Sequence, residues 1–197
     1  GLGPTQAIDN YTNVTYANTY FKQTANIDLS GHLWLPIGGI VYSEESANMF
    51  GGNYDGGGFY ITGMTFSTTT ASNGDPIGYP YGIFGFLAGG SSEQSMQVIE
   101  NIVIGTPEEE FTIQALGHVG GVAGIVSDAN VTIRNCTNYA NITATMDAEG
   151  YGGIVGYPQG GNIIGCTNYG TITGHNDIGG IAGGHAPYGS NIIEITN

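Results

Sequence analysis

Few side chains in this sequence are of a type that does covalent chemistry, and their spacing does not suit it. The histidines, His32, His118, His175 and His185, stand far apart. A zinc protease needs two histidines at i and i+4 with a glutamate between them. A structural zinc site needs its ligands at short, fixed spacings. No histidine here has such a neighbour. His175 and His185 bracket one turn region, which suits loop histidines better than ligands. The Gly-x-Ser-x-Gly elbow of serine hydrolases is absent. Gly51-Gly52-Asn53-Tyr54-Asp55-Gly56 has the glycines of a phosphate loop but neither its lysine nor the strand-to-helix setting. Asn53 and Asp55 offer oxygens to Ca²⁺, yet a turn Asn or Asp more simply bonds its own backbone. The sequence therefore assigns no catalytic residue, no metal ligand and no cofactor.

Charge excludes whole classes of partner. Lys22 and Arg134 are the only basic side chains against 16 acids, for a formal net charge of −14. Nucleic acids and anionic membranes are both held by clusters of Lys and Arg, so neither is an expected partner. The acids are scattered, and their one run, Glu108-Glu109-Glu110, is short enough for a solvated loop. Asp128, Asp147, Glu149 and Asp177 fall in loops, and a glycosidase would need two such groups facing each other across a cleft. Aromatic faces are the better candidates for binding. Trp34, Tyr79 and Tyr81 are the candidates singled out to hold a sugar, with Tyr42, Tyr157 and Tyr188 behind them. Tyr79-Pro80-Tyr81 closes a long insertion, residues 67–81, of the kind that carries function.

The elements that must position these residues are legible as a repeat. Glycine is abundant, 36 of 197 residues, without the period of collagen. One signature is Gly-Φ-Φ-Gly, with Φ apolar. It occurs at Gly82-Ile83-Phe84-Gly85, Gly121-Val122-Ala123-Gly124, Gly153-Ile154-Val155-Gly156 and Gly180-Ile181-Ala182-Gly183. A second, Ile-x-(Asn or Gly)-Φ, alternates with it at Ile61–Met64, Ile99–Ile102, Ile133–Cys136 and Ile163–Cys166, with a degenerate copy at Ile192–Ile195. Residues two apart on a strand share a face, so Ile and Φ, three apart, share the core only if the chain turns between them. Asn and Gly tolerate the left-handed backbone that such a corner needs. Corners are therefore predicted at Gly63, Asn101, Asn135 and Gly165.

Short Val, Ile, Thr and Tyr strands between these signatures, with no helical period, predict an all-β right-handed parallel β-helix with coils of about 30 residues. Val122, Ile154 and Ile181 should stack, as should Ile99, Ile133 and Ile163, and Tyr139 on Tyr169. Cys136 and Cys166 should be two buried thiols rather than a disulfide, since both point inward in parallel. Residues 1–19 read as a cap or lead-in and 20–197 as the solenoid. Coil ends leave strand edges that need covering, so further sequence, or another chain, is expected beyond Asn197. No stretch is long and apolar enough to span a membrane as a helix.

Tyr20 through Gly31, Trp34-Leu35-Pro36-Ile37-Gly38 and Phe50 through Met64 resemble a recurrent opening of bacterial surface proteins. The Gly-Gly-Ile-Val-Gly and Asn-Cys-Thr-Asn-Tyr units that follow resemble GLUG-motif repeats, known in adhesin-like proteins and in accessory regions of immunoglobulin A peptidases. The resemblance implies an extracellular or cell-surface bacterial protein. It implies a non-enzymatic, adhesin-like module that binds a host glycan, glycoprotein or extracellular polymer, or a display scaffold. An accessory region of a larger peptidase is the alternative. Another is a polysaccharide lyase or glycosidase, because β-helices also carry those activities. A lyase would need Lys22 or Arg134 as its base, and neither lies among acids along the sequence.

Overall fold

The structure is a computed structural model that describes residues 14–39, 49–67, 80–88, 96–144, 150–184 and 193–196. Among these residues the regular elements are short strands, their pairings are parallel and there is no helix. The chain winds into a β-solenoid of about 4 turns with about 33 residues per turn. One turn passes through Ala123–Val126, Val131–Arg134, Thr137–Asn138, Asn141–Ala144 and Tyr151–Gly152. Val155–Pro158 then pairs in parallel with Ala123–Val126, and the cycle repeats. Each segment belongs to a different sheet, so the solenoid has five faces.

The corners form where the sequence places them. Asn101, Asn135, Gly63 and Gly165 adopt φ of 55°, 53°, 68° and 58°. The residues on either side of each corner both enter the core. Ile99 and Ile102, Ile133 and Cys136, Ile163 and Cys166, and Ile61 and Met64 are all at most 5% exposed. Ile133 pairs with Ile99 on one side and Ile163 on the other. The Gly-Φ-Φ-Gly copies stack through Val122 N–H to Ile154 O at 3.0 Å and Ile154 N–H to Ile181 O at 2.9 Å.

Two equivalences read from the sequence are corrected. Ile61 lies beside Ile104, not Ile99; the strand Tyr60–Thr62 belongs to the next face, and Tyr54 is what pairs with Ile99. Gly63 therefore turns a different corner, the one that Gly105 (φ 77°) turns in the following coil. At the other end Ile195, rather than Ile192, pairs with Ile163. Both slips have one cause, because an Ile-x-Gly-Φ or Ile-Ile-x-Ile string scores equally wherever an apolar strand meets a bend. The parallel ladder also begins before residue 20, as Val14–Thr15 pairs with Met49–Phe50.

One polar column runs inside the apolar core. Asn138, fully buried, and Asn168 stand in register with Ile104, Ile61 and Ile27 of the earlier coils. The Asn138 amide donates to Asn168 Oδ1 and to Ala140 O, both at 2.8 Å, and its own oxygen accepts Ala140 N–H at 3.2 Å. Asn168 repeats the local pattern with Gly170. This column also packs on the Gly-Φ-Φ-Gly signature. A Cβ on Gly121 would sit 3.1 Å from Asn138 Oδ1 and 2.6 Å from Gly153 O.

Candidate functional site

Side chains directly before the corner face outward, and on this face they carry charge. Lys22, Asp55, Glu100 and Arg134 follow one another in register across four coils. Lys22 Nζ lies 3.4 Å from Asp55 Oδ2, and Arg134 Nε donates to Glu100 Oε2 at 2.7 Å. Asn101 Nδ2 and Gly57 N–H donate to Asp55 Oδ1 at 2.9 and 2.8 Å. The Asn101 amide, then the Gly57 N–H, hold the Asp55 carboxyl below the usual carboxylate range. The fold thus gathers both cations of the chain with two acids that lie far from them in sequence. The signal was present in Glu100-Asn101 and Arg134-Asn135, where each charge immediately precedes a turning residue, and in Asp55, two residues before Gly57.

This ladder has residue types that catalytic sites use, but Asp55 does not suit the role of a glycosidase acid. A glycosidase acid must hold its proton near neutral pH, and Asp55 is held ionised. Glu100 is committed to the Arg134 guanidinium. A lyase base must be an uncharged amine or guanidine open to the substrate, and both Lys22 and Arg134 face carboxylates. What the arrangement does is set register, since slipping the pairing by one residue would send these charges to the other face. Exposed pairs of this kind contribute about 0–1 kcal/mol each.

The three aromatic candidates fall in different places. Tyr81 is 0% exposed and packs edge-on against Phe66 with ring centroids 5.0 Å apart. It is a core residue and offers no face to a ligand, because Pro80-Tyr81 enters the wall where Tyr81 bridges to Val119. Trp34 is half-buried against the core, and its indole N–H points at Gly82 O and Ile83 O at 3.2 and 3.3 Å. Tyr79 lies outside the described residues, as do Tyr42, Tyr188, His185, Asp147 and Glu149. Half-buried Tyr139 stacks on Tyr169 at 4.9 Å and 6°, and Tyr169 is 67% exposed.

Two of the remaining acids sit in turns of the scaffold. Asp128 Oδ1 accepts Asn130 N–H at 2.8 Å within its own turn, and Asp177 occupies a left-handed turn position at φ 49°. Among the described residues, no three His, Cys, Asp or Glu side chains gather as a metal site. Cys136 and Cys166 are free and buried in neighbouring coils, and Cys136 N–H approaches Cys166 Sγ at 3.5 Å. Burial pushes the Cys136 thiol well up, away from reactive thiolate.

His118 is stacked on Tyr157 at 4.7 Å and 27°, and burial pulls its pKa down from 6.5 to about 4. The folded chain therefore keeps this imidazole neutral. Between pH 6.5 and 4 the unfolded chain binds a proton that the folded chain refuses, so stability falls as pH falls through that window. After allowance for partial exposure the loss is about 2 kcal/mol. His118→Phe keeps a ring on Tyr157 and should flatten this part of the profile, measured by urea unfolding from pH 7 to 4. Equal slopes in the two proteins would contradict the assignment.

No family model and no curated protein matches this chain. Among solved structures it is similar to one described as a putative immunoglobulin A1 protease from Bacteroides ovatus, with 20% identity and a TM-score of 0.54. The match covers 89% of this chain and 57% of that one. The likeness supports the fold: both chains carry this β-solenoid. The chain spans little more than half the length of that protein. Among the described residues no helix is long and apolar enough to cross a membrane.

Proposed function

We propose that this chain is a non-catalytic β-solenoid module of an extracellular or cell-surface bacterial protein, an accessory region that holds or displays other parts of a larger molecule. One observation carries the reading. The side chains best able to do chemistry, Lys22, Asp55, Glu100 and Arg134, are paired with one another across coils and serve the stacking of the scaffold. The structural likeness to the described immunoglobulin A1 protease supports an accessory place beside a peptidase, and the repeat's resemblance to adhesin-like proteins supports an extracellular one.

The test is to incubate the 197-residue chain with immunoglobulin A1 and with an array of polysaccharides and glycoproteins. Retained protein, released reducing ends and cleaved heavy chain are read together. The expected result is no cleavage product. Retention on one class of polymer would add a binding role to the scaffold. Products that persist in the Glu100→Gln and Asp55→Asn variants would place an active site elsewhere, and products lost in them would make the charge ladder catalytic; either result overturns the proposal.

A further inference from the structure

One wall of the solenoid carries two matching rows of uncharged side chains. From Cys136 to Ala144, buried and half-buried residues alternate without a break. Asn138, Ala140, Ile142 and Ala144 enter the core, each at most 4% exposed, while Thr137, Tyr139, Asn141 and Thr143 face outward. Residues two apart share a face of an extended chain, and neither Tyr139 nor Ala140 is left-handed, so the alternation survives the turn. The next coil repeats the row as Thr167, Tyr169, Thr171 and Thr173. The rows are in register: Thr137 lies beside Thr167, Tyr139 stacks on Tyr169, and Thr143 lies beside Thr173. On the other side, Thr112 and Gln114 flank Asn141 and Thr143. These side chains project from the wall, across the solenoid axis. Asn141 and Thr143 reach solvent in that direction although a coil lies on either side of them.

Neither stretch, 136–144 or 166–174, contains an acid, a base or a histidine, in a chain whose formal net charge is −14. Thr and Tyr hydroxyls both donate and accept, and Asn and Gln amides do so through separate atoms. Among the described residues, none of the hydroxyls in the two rows is hydrogen-bonded within the chain. Asn141 Oδ1 accepts Thr171 N–H at 2.8 Å, which holds that amide in the plane of the wall. At about 3.3 Å per residue, the row from Thr137 to Thr143 spans about 20 Å, and the rows lie about 4.8 Å apart. The exposed acids Glu108, Glu109 and Glu110 rim the strip on the side of the preceding coil. Glu108 lies near enough to join burial, Tyr169 and Tyr60 in raising the Tyr139 phenol.

We infer that this strip is a binding site for a neutral polysaccharide, laid along the two rows with its hydroxyls paired to those of the threonines and tyrosines and to the Asn141 amide. Charge selects the occupant. A polymer bearing carboxylates or sulfates needs cations, and both cations of the chain are paired with acids on another face, while the glutamates beside the strip repel it. A neutral polymer meets no such penalty, and an uncharged wall costs less to desolvate than a charged one. The length of the rows suits several linked sugars rather than one. The site goes beyond the proposed scaffold role, which stands whether or not the strip binds.

The test is affinity electrophoresis of the 197-residue chain in native gels containing mixed-linkage β-glucan, galactomannan, xylan or dextran, with polygalacturonate as the acidic comparison. At least one neutral polymer should retard the chain, and polygalacturonate should not. Thr143→Val and Tyr169→Phe keep the shape of the wall and remove one hydroxyl each. Together they should weaken the apparent Kd about ten-fold, as the loss of two hydrogen bonds implies, with the Tm unchanged. Asn141→Asp keeps the acceptor for Thr171 N–H and adds a charge, so it should weaken retention as well. Lys22→Gln, on the charged face, should leave it unchanged. Retardation by none of the neutral polymers, equal retardation of the wild type and the strip variants, or stronger retardation by polygalacturonate would overturn the inference. So would inhibition of ice recrystallisation that the same variants lose, because the hydroxyl rows would then be fitted to ice.

Discussion

Replacing Gly121 by alanine should cost about 3 kcal/mol, a fall in Tm of roughly 6–12 °C for a chain of this length. The added methyl group would sit 2.6 Å from Gly153 O, a backbone atom of the next coil. A side-chain tip could rotate away, but that carbonyl is fixed by the hydrogen bond it accepts from Gly121 N–H at 3.1 Å. Relief requires neighbouring coils to move apart, which stretches the stacking bonds of Val122 and Ala123 to Ile154 O. Interiors packed at crystal density do not yield cheaply to such displacement. Gly180→Ala is the matched control, with the same position in the repeat, the same loss of backbone freedom in the unfolded state and open space at the methyl group. Urea unfolding of the two variants separates steric cost from chain entropy. Equal stability of Gly121→Ala and Gly180→Ala would mean that the coils breathe enough to admit a methyl group.

The corner rule explains why so much of this fold could be read from sequence and why the rest could not. A left-handed backbone selects Asn or Gly, and an inward residue on each side selects an apolar pair, so Asn101, Asn135 and Gly165 announced themselves. Those constraints are local. Register between coils is not, and the strings at Ile61–Met64 and Ile192–Ile195 were placed one face or three residues away from where they stack. The charge ladder was harder still. Lys22, Asp55, Glu100 and Arg134 are tens of residues apart, and only pairing brings them side by side. Tyr81 misled for a different reason: its neighbours in sequence look like an exposed insertion, but its burial is set by Phe66, from the far side of that insertion, and by Val119 of the next coil. Amphipathic residues such as tyrosine do not declare their side from type alone.

Asn138→Leu should be as costly as Gly121→Ala, about 3 kcal/mol, although leucine suits the apolar surroundings better. The column of this residue is filled by Ile27, Ile61 and Ile104 in the earlier coils, so an apolar side chain fits there in principle. The difference lies in the turn that follows. After Ile104 the chain turns through Gly105 at φ 77°. After Asn138 it turns through Tyr139 and Ala140, neither left-handed, and the asparagine side chain itself satisfies Ala140 N–H and C=O. Leucine removes that partner and strands two buried backbone groups, each worth about 1–3 kcal/mol when left unsatisfied. It also takes one donor from Asn168 Oδ1. Asn138→Ala distinguishes the causes. If lost bonds dominate, Ala and Leu should lie within about 1 kcal/mol of each other; if volume dominates, Leu should approach the wild type and Ala should fall 2–5 kcal/mol below it. Because Gly121 faces the Asn138 amide at 3.1 Å, the double variant Gly121→Ala with Asn138→Ala should lose less than the sum of its parts. Only the carbonyl clash then remains, and the deficit from additivity measures how strongly Asn138 requires a glycine at position 121.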